Sequence, residues 1–373
     1  MVRDEVRPPY LVLQGLLVAM VLFAMTGGAV ANDDDDDYPE YTDLRLPSSD
    51  VYYVGRVGKN MRIQMALSLH GKGKHGSRKI HGSYFYDSIG APLQLDGVLK
   101  AGTLSLTEQE DEKVTGRFTG EFNPRAARQN LKWSSPDGSR SLDVSLTLVA
   151  ESERLREDRS GVISAVVEWP TFRGKEALPK AVERTLKKDA QRAIKVALQP
   201  DPEHGPESDG GLSVPWTIQT QHTVLYYSPT LISLQTYDHS YMGGAHGSYD
   251  FGGRCFVLRD GRAHELTLKD LFRPGSKFVR RLSDLCIAGL QKKGASGVPD
   301  GEGEGLKLKD LATFQVTPEG LTFIFNPYTM GCYAEGGYWV DVPWKRISDL
   351  LADVPEIRHL AGMASKPPRK QGA

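Results

Sequence analysis

Cysteine is scarce in this chain: of 373 residues only three are cysteines, Cys255, Cys286 and Cys332. None precedes Cys255, which excludes a lipid-modified cysteine near the N-terminus, and the three show neither a CxxC pair nor a zinc spacing. Net charge is scarce as well. Lys and Arg number 46 against 47 Asp and Glu, a formal charge of −1. The chain therefore lacks the basic excess that grips a nucleic-acid backbone. Such a protein also gains little long-range steering, so a charged partner must be met through a local patch. Neither a serine elbow nor an HExxH sequence occurs.

What is present begins with an apolar run from Leu11 to Ala31, preceded by Arg3 and Arg7 and closing on Ala29-Val-Ala31, the small-x-small pattern of a cleavage site. It reads as a signal peptide over residues 1–31. The competing reading is an uncleaved anchor, against which Gln14, Gly15, Gly27 and Gly28 interrupt the run. The expectation is a periplasmic or secreted protein, touching a membrane only if this segment is retained. Ten residues precede the run, so no folded cytoplasmic domain is expected. Asp33 to Asp37 repel one another and suggest a solvated, disordered leader over residues 32–50. In an oxidising compartment three cysteines suggest one disulfide and one thiol. Cys286 with Cys332 is the candidate pair, Cys255 falling inside a predicted strand.

Without the first 31 residues, roughly 340 remain, more than one core usually spans. Two domains are expected. Met61, Ile63, Met65, Leu67 and Leu69 alternate with Arg62, Gln64, Ala66 and Ser68, and Leu142 to Leu148 repeats the pattern. Short strand candidates and turns such as Pro136-Asp-Gly138 fill the interval. Residues 51–150 thus read as an all-β antiparallel meander of about seven strands, closed like a small barrel because closure removes sticky edges. Tyr84, Phe85, Tyr86 and Trp133 could line its mouth, although aromatics at strand spacing are commonly core.

A charged junction from Glu151 to Arg159 leads to a strand and then the clearest helix, Glu176 to about Leu198, with one apolar stripe and one basic, solvated face. Strands follow from Pro215 to Leu258, with a type I′ hairpin expected at Asp260-Gly261. A second main helix is expected from Ser276 to Lys292, and a short one from Pro343 to Leu351. Segregated strands and helices predict an α+β domain with an antiparallel sheet and two main helices. Residues 353–373 read as a flexible tail.

Within this half, Gly243-Gly-Ala-His246, Leu268-Lys-Asp-Leu-Phe272, Pro318-Glu-Gly-Leu321, Phe325-Asn-Pro-Tyr328, Tyr333-Ala-Glu-Gly336 and Val342-Pro343 resemble the RsiV-like C-terminal domain. That family of unknown function occurs in extracytoplasmic anti-sigma factors and beside some peptidoglycan deacetylases. The resemblance covers roughly residues 160–352. It implies a non-catalytic envelope recognition module, with lysozyme or a peptidoglycan-associated protein as partner and no cofactor. The cytoplasmic sigma-binding segment of the anti-sigma members is not matched, so that role is not expected.

Three functional readings follow. Recognition through Tyr241, His246, Tyr328, Tyr333, Glu335 and Trp339 comes first, because tyrosine and tryptophan anchor protein and sugar contacts. Second is an envelope hydrolase or metal enzyme in which Asp238, His239, His246 and Glu335 converge. Third is a structural accessory domain. The carboxylates of Asp300 to Gly305 faintly suggest a calcium loop, but Leu311 stands where a bidentate glutamate is needed. No catalytic or metal residue is assigned.

Overall fold

The computed structural model describes residues 50–71, 77–159, 162–199, 216–243, 246–299 and 305–364. The readings of residues 1–49 and of the carboxylates at 300–304 lie outside them. Eight strands come first: β1 (Val51–Val57), β2 (Met61–His70), β3 (Arg78–Tyr86), β4 (Pro92–Lys100), β5 (Thr103–Glu110), β6 (Lys113–Glu121), β7 (Arg128–Ser134) and β8 (Ser141–Arg159). Each pairs with the next, and β1 also pairs with β8, closing a barrel. The period-two residues behave as their alternation requires: Ile63, Met65, Leu67 and Leu69 are buried inside with Tyr53, Tyr84 and Phe118.

β8 decides how the two halves join. It is 19 residues long. Its first part pairs with β7 and β1, and Ala150–Arg159 pairs with β9 (Ile163–Phe172). The charged stretch read as a junction is therefore strand, and no linker separates the halves. Its charges are tolerated because they are paired: Arg154 binds Glu168 across to β9, and Arg156 contacts Asp158 two residues along the same strand at 3.0 Å.

From β9 the chain crosses through helix α1 (Ala177–Ala197) to β10 (Trp216–Tyr227), which lies parallel to β9. Then β11 (Leu231–Tyr241), β12 (Ser248–Arg259) and β13 (Arg262–Glu265) continue antiparallel, completing a 13-stranded sheet. Asp260 and Gly261 take φ +50° and +71°, the expected I′ hairpin geometry. The apolar stripe of α1, including Leu178, Val182, Leu186 and Ile194, buries one face of this sheet against Ala165, Val167, Leu234 and Phe256.

The opposite face carries a smaller sheet, β14 (Phe314–Val316), β15 (Gly320–Phe325) and β16 (Tyr338–Pro343), with helices α2 (Leu268–Leu271), α3 (Phe278–Lys292) and α4 (Pro355–Ala364). The fold class is as the sequence predicts, an all-β barrel followed by an α+β domain. Three local expectations fail. The helix expected over Pro343–Leu351 is two 3₁₀ turns, Trp344–Arg346 and Ser348–Leu350, pinned where the buried Trp344 donates its indole N–H toward the carbonyls of Thr317 and Pro318. The tail expected to be flexible from 353 contains α4 instead, because Ile357, Leu360 and Ala361 at helical spacing seal the core. The proposed Cys286–Cys332 disulfide is not formed. All three thiols are free, since Cys286 faces inward from α3 while Cys332 lies exposed.

Candidate functional site

Alternation along β11 and β12 sorts their side chains onto two unlike faces. In register, Tyr237 opposes Phe251 and His239 opposes Tyr249 on one face, whereas Asp238 opposes Asp250 on the other. β10 extends the first face, placing Gln221 beside Tyr237, Gln219 beside His239 and Thr217 beside Tyr241. The result is an aromatic and amide floor backed by an acidic reverse.

The small sheet covers only part of that floor. Gln315 donates to the Gly252 carbonyl at 3.0 Å. Asn326 clamps the Phe251 backbone, its Oδ1 accepting from the N–H at 2.8 Å and its Nδ2 donating to the carbonyl at 2.9 Å. A side chain at Gly253 would collide with the Phe314 carbonyl, so this glycine lets the two sheets approach. Past this clamp the floor opens: Tyr237, His239, Tyr241 and Tyr249 are only partly buried.

The loop leaving β15 forms the wall. Tyr328 adopts φ +68° although it carries a side chain, and 68% of it is exposed. Its ring centroid lies 5.5 Å from that of Tyr333, which stacks on His246 at 4.1 Å and 17° and meets Tyr249 edge-on at 5.9 Å. The row continues through Phe251 to Trp339 at 5.2 Å and to Tyr237 at 5.1 Å. Tyr333 O–H donates to the Gly247 carbonyl at 2.8 Å, and His246 Nδ1 reaches the same oxygen at 2.8 Å. Loop and hairpin are thereby tied together.

Of the residues singled out from the sequence, His246, Tyr328, Tyr333 and Trp339 join this row, and Tyr241 stands on the same face at the end of β11. Glu335 sits in the adjoining turn but faces its own loop. It accepts from Ser296 Oγ at 2.7 Å, Ser296 N–H at 3.2 Å, Cys332 N–H at 3.1 Å and Tyr338 O–H at 2.6 Å. The Tyr338 and Ser296 bonds hold its carboxyl down at about 2 and leave it a brace. Tyr237, Tyr249, Phe251, Gln219 and Asn326 were missed. The alternation of Tyr237-x-His239-x-Tyr241 and Tyr249-x-Phe251 carried the signal for most of them; Asn326 stands inside the motif Phe325-Asn-Pro-Tyr328, but nothing in it marks the side chain as a clamp on Phe251.

The carboxylate–imidazole cluster does not assemble. Asp238 turns away from His239 and pairs with Thr220 at 2.5 Å, its carboxyl raised chiefly by desolvation. Burial lowers His239 from its usual range. Among the described residues no group of three or more His, Cys, Asp and Glu is placed to hold a metal. The aromatics proposed for the barrel mouth are structural. Tyr84 O–H, Trp133 N–H and Thr115 O–H converge on the buried Glu108 carboxylate, each at 2.7 Å, while Phe85 points outward and stacks on Tyr226. One further buried carboxylate lies where barrel and sheet meet. Asp50 accepts from Gln221 Nε2 at 2.9 Å, and burial raises it to about 6, with the Ser68 hydrogen bond opposing and neighbouring Glu168 adding.

Two segments of the second half match known families. Residues 157–249 match the family described as Deacetylase PdaC, and residues 269–345 match the one described as a protein of unknown function, DUF3298. No curated protein matches the chain. Among solved structures it resembles a DUF3298 family member from Bacteroides fragilis, at 17% identity and a TM-score of 0.41 over 57% of this chain and 97% of that one. A DUF3298 family protein from Pseudomonas aeruginosa aligns at 16% identity and a TM-score of 0.38, covering 54% and 94%.

Proposed function

We propose that this protein is an exported, non-catalytic recognition module of the cell envelope, and that its binding face is the aromatic surface between the β11–β12 hairpin and the Tyr328 loop. One observation carries the reading: Tyr328 is held in a backbone conformation that disfavours side chains, yet presents its ring to solvent. Strain kept at an exposed aromatic is retained for contact more readily than for folding. The matches to the PdaC and DUF3298 families support an envelope setting, and the RsiV-like motifs supply lysozyme as the first partner to test. A hydrolytic role is less well supported, because Asp238 and His239 face opposite sides of the sheet.

The test is capture. The purified chain, immobilised at moderate salt, is challenged with envelope extract and separately with lysozyme, alongside Tyr328→Ala. Retention that Tyr328→Ala abolishes is the expected result. Retention indifferent to Tyr328 would move the binding face elsewhere, and no retention of any envelope component would remove the recognition role.

A further inference from the structure

We infer that the ligand of this face is a neutral pyranose oligosaccharide, lying across β10–β12 with a sugar ring against Tyr328. The inference rests on the recognition reading above and adds the ligand's chemistry. Sugars offer two kinds of surface, an apolar C–H face that packs on aromatic rings and a periphery of neutral hydroxyls that need donors and acceptors in fixed places. The hydrogen-bonding groups stand on strands, and two of the rings stand on the loop that Tyr333 ties to the hairpin. Tyr328, Tyr333 and Tyr249 supply adjoining ring faces. Beside them Thr217, Gln219 and His239 rise from neighbouring strands on the same face. All three are partly buried, and none makes a side-chain hydrogen bond to a described residue. These are hydrogen-bonding groups held in place and left unspent, on a floor about 10 Å wide across three strands.

Charge argues for a sugar over a charged polymer or protein. From Thr217 to Gln221, Tyr237 to Tyr241 and Tyr249 to Phe251, every side chain on this face is uncharged apart from His239, whose proton affinity burial lowers. The acids Asp238 and Asp250 are on the reverse, and Glu335 is consumed by its own loop. On these three strands a cationic protein would find its counter-charges on the wrong side of the hairpin and a polyanion would find none. The charges flanking the floor are already partnered, Arg154 with Glu168, Arg156 with Asp158 and Asp50 with Gln221. A neutral ligand forfeits nothing here. It gains aromatic stacking and neutral hydrogen bonds, the latter specific because an unmatched polar group is penalised on closure.

Calorimetry on the whole chain with N-acetylglucosamine tetramer and with cellotetraose tests the inference. Binding of at least one is expected, weakened tenfold or more in Tyr328→Ala, weakened several-fold in Gln219→Ala, and retained in Tyr328→Phe, which keeps the ring. Lys188→Glu, on the exposed face of α1 behind the sheet, should leave it unchanged; circular dichroism checks that each variant is folded. If neither tetrasaccharide binds while Tyr328-dependent capture of a protein persists, the sugar is wrong and the recognition face stands. If a tetrasaccharide binds equally well to Tyr328→Ala, this assignment of the site is overturned. If neither sugar nor envelope component is held, both readings fall.

Discussion

Tyr328 concentrates the residue-scale argument. A side chain in the left-handed region costs about 1–2 kcal/mol, and with 68% of the residue exposed there is little burial to offset it. Tyr328→Gly removes the steric clash but adds unfolded-state entropy of about 0.5–1 kcal/mol. Its stability in denaturant titration should therefore stay within about 1 kcal/mol of the parent while binding collapses; a large loss of stability would show the residue to be structural. Asp50 gives a pH prediction with a definite sign. Its folded value of about 6 exceeds the ordinary 3.8, so the folded state binds the extra proton between those values. Its contribution is complete below pH 4 and is lost as pH rises through about 6. Asp50→Asn should accordingly raise stability at pH 8 by up to roughly 3 kcal/mol and change it little at pH 4, read from unfolding curves at the two pH values. A gain of equal size at both would show that the charge is not responsible.

At the scale of elements, legibility followed how much of an element's environment its own sequence repeats. Helix α1 was readable to within one residue at each end, because its stripe from Leu178 to Ile194 keeps one period over several turns. The second half of β8 was not: Glu151 to Arg159 carries charge on both faces, and only pairing with β9 makes it a strand. Helix α4 was hidden for a related reason, since three apolar residues in a short segment give no sign of a core until they dock. The cysteines show the same limit, as spacing cannot reveal which way a thiol points. Native protein should react with a thiol reagent at Cys332 alone, with Cys255 and Cys286 reacting only after unfolding. Both buried thiols are pushed well above their usual range by desolvation, so exposure and ionisation change together. Three protected thiols, or a mass two hydrogens short, would indicate the disulfide instead.

For the whole molecule, the shared strand is the governing feature. Because β8 closes the barrel and also carries the 13-stranded sheet on to β9, both halves depend on it. Phe118→Ala in the barrel core should cost about 3–5 kcal/mol and lower a single calorimetric transition as one; two separable peaks would show independent halves. The amino-acid sequence alone determined what depends on neighbours along the chain: the alternating strands that make the barrel, the Asp260-Gly261 hairpin, the stripe of α1 and the clustering of aromatics near Tyr328. Only the tertiary structure decided which of those aromatics share a surface. Tyr237, Tyr249 and Phe251 come from one hairpin and Tyr328, Tyr333 and Trp339 from a segment about eighty positions later, joined through the Asn326 clamp on Phe251. Strand alternation then placed Asp238 behind the sheet and His239 before it, separating the pair that proximity in sequence had suggested. Side-chain direction alternates residue by residue, so adjacency along a strand guarantees opposite faces, and a binding face exists only once distant strands are laid in register.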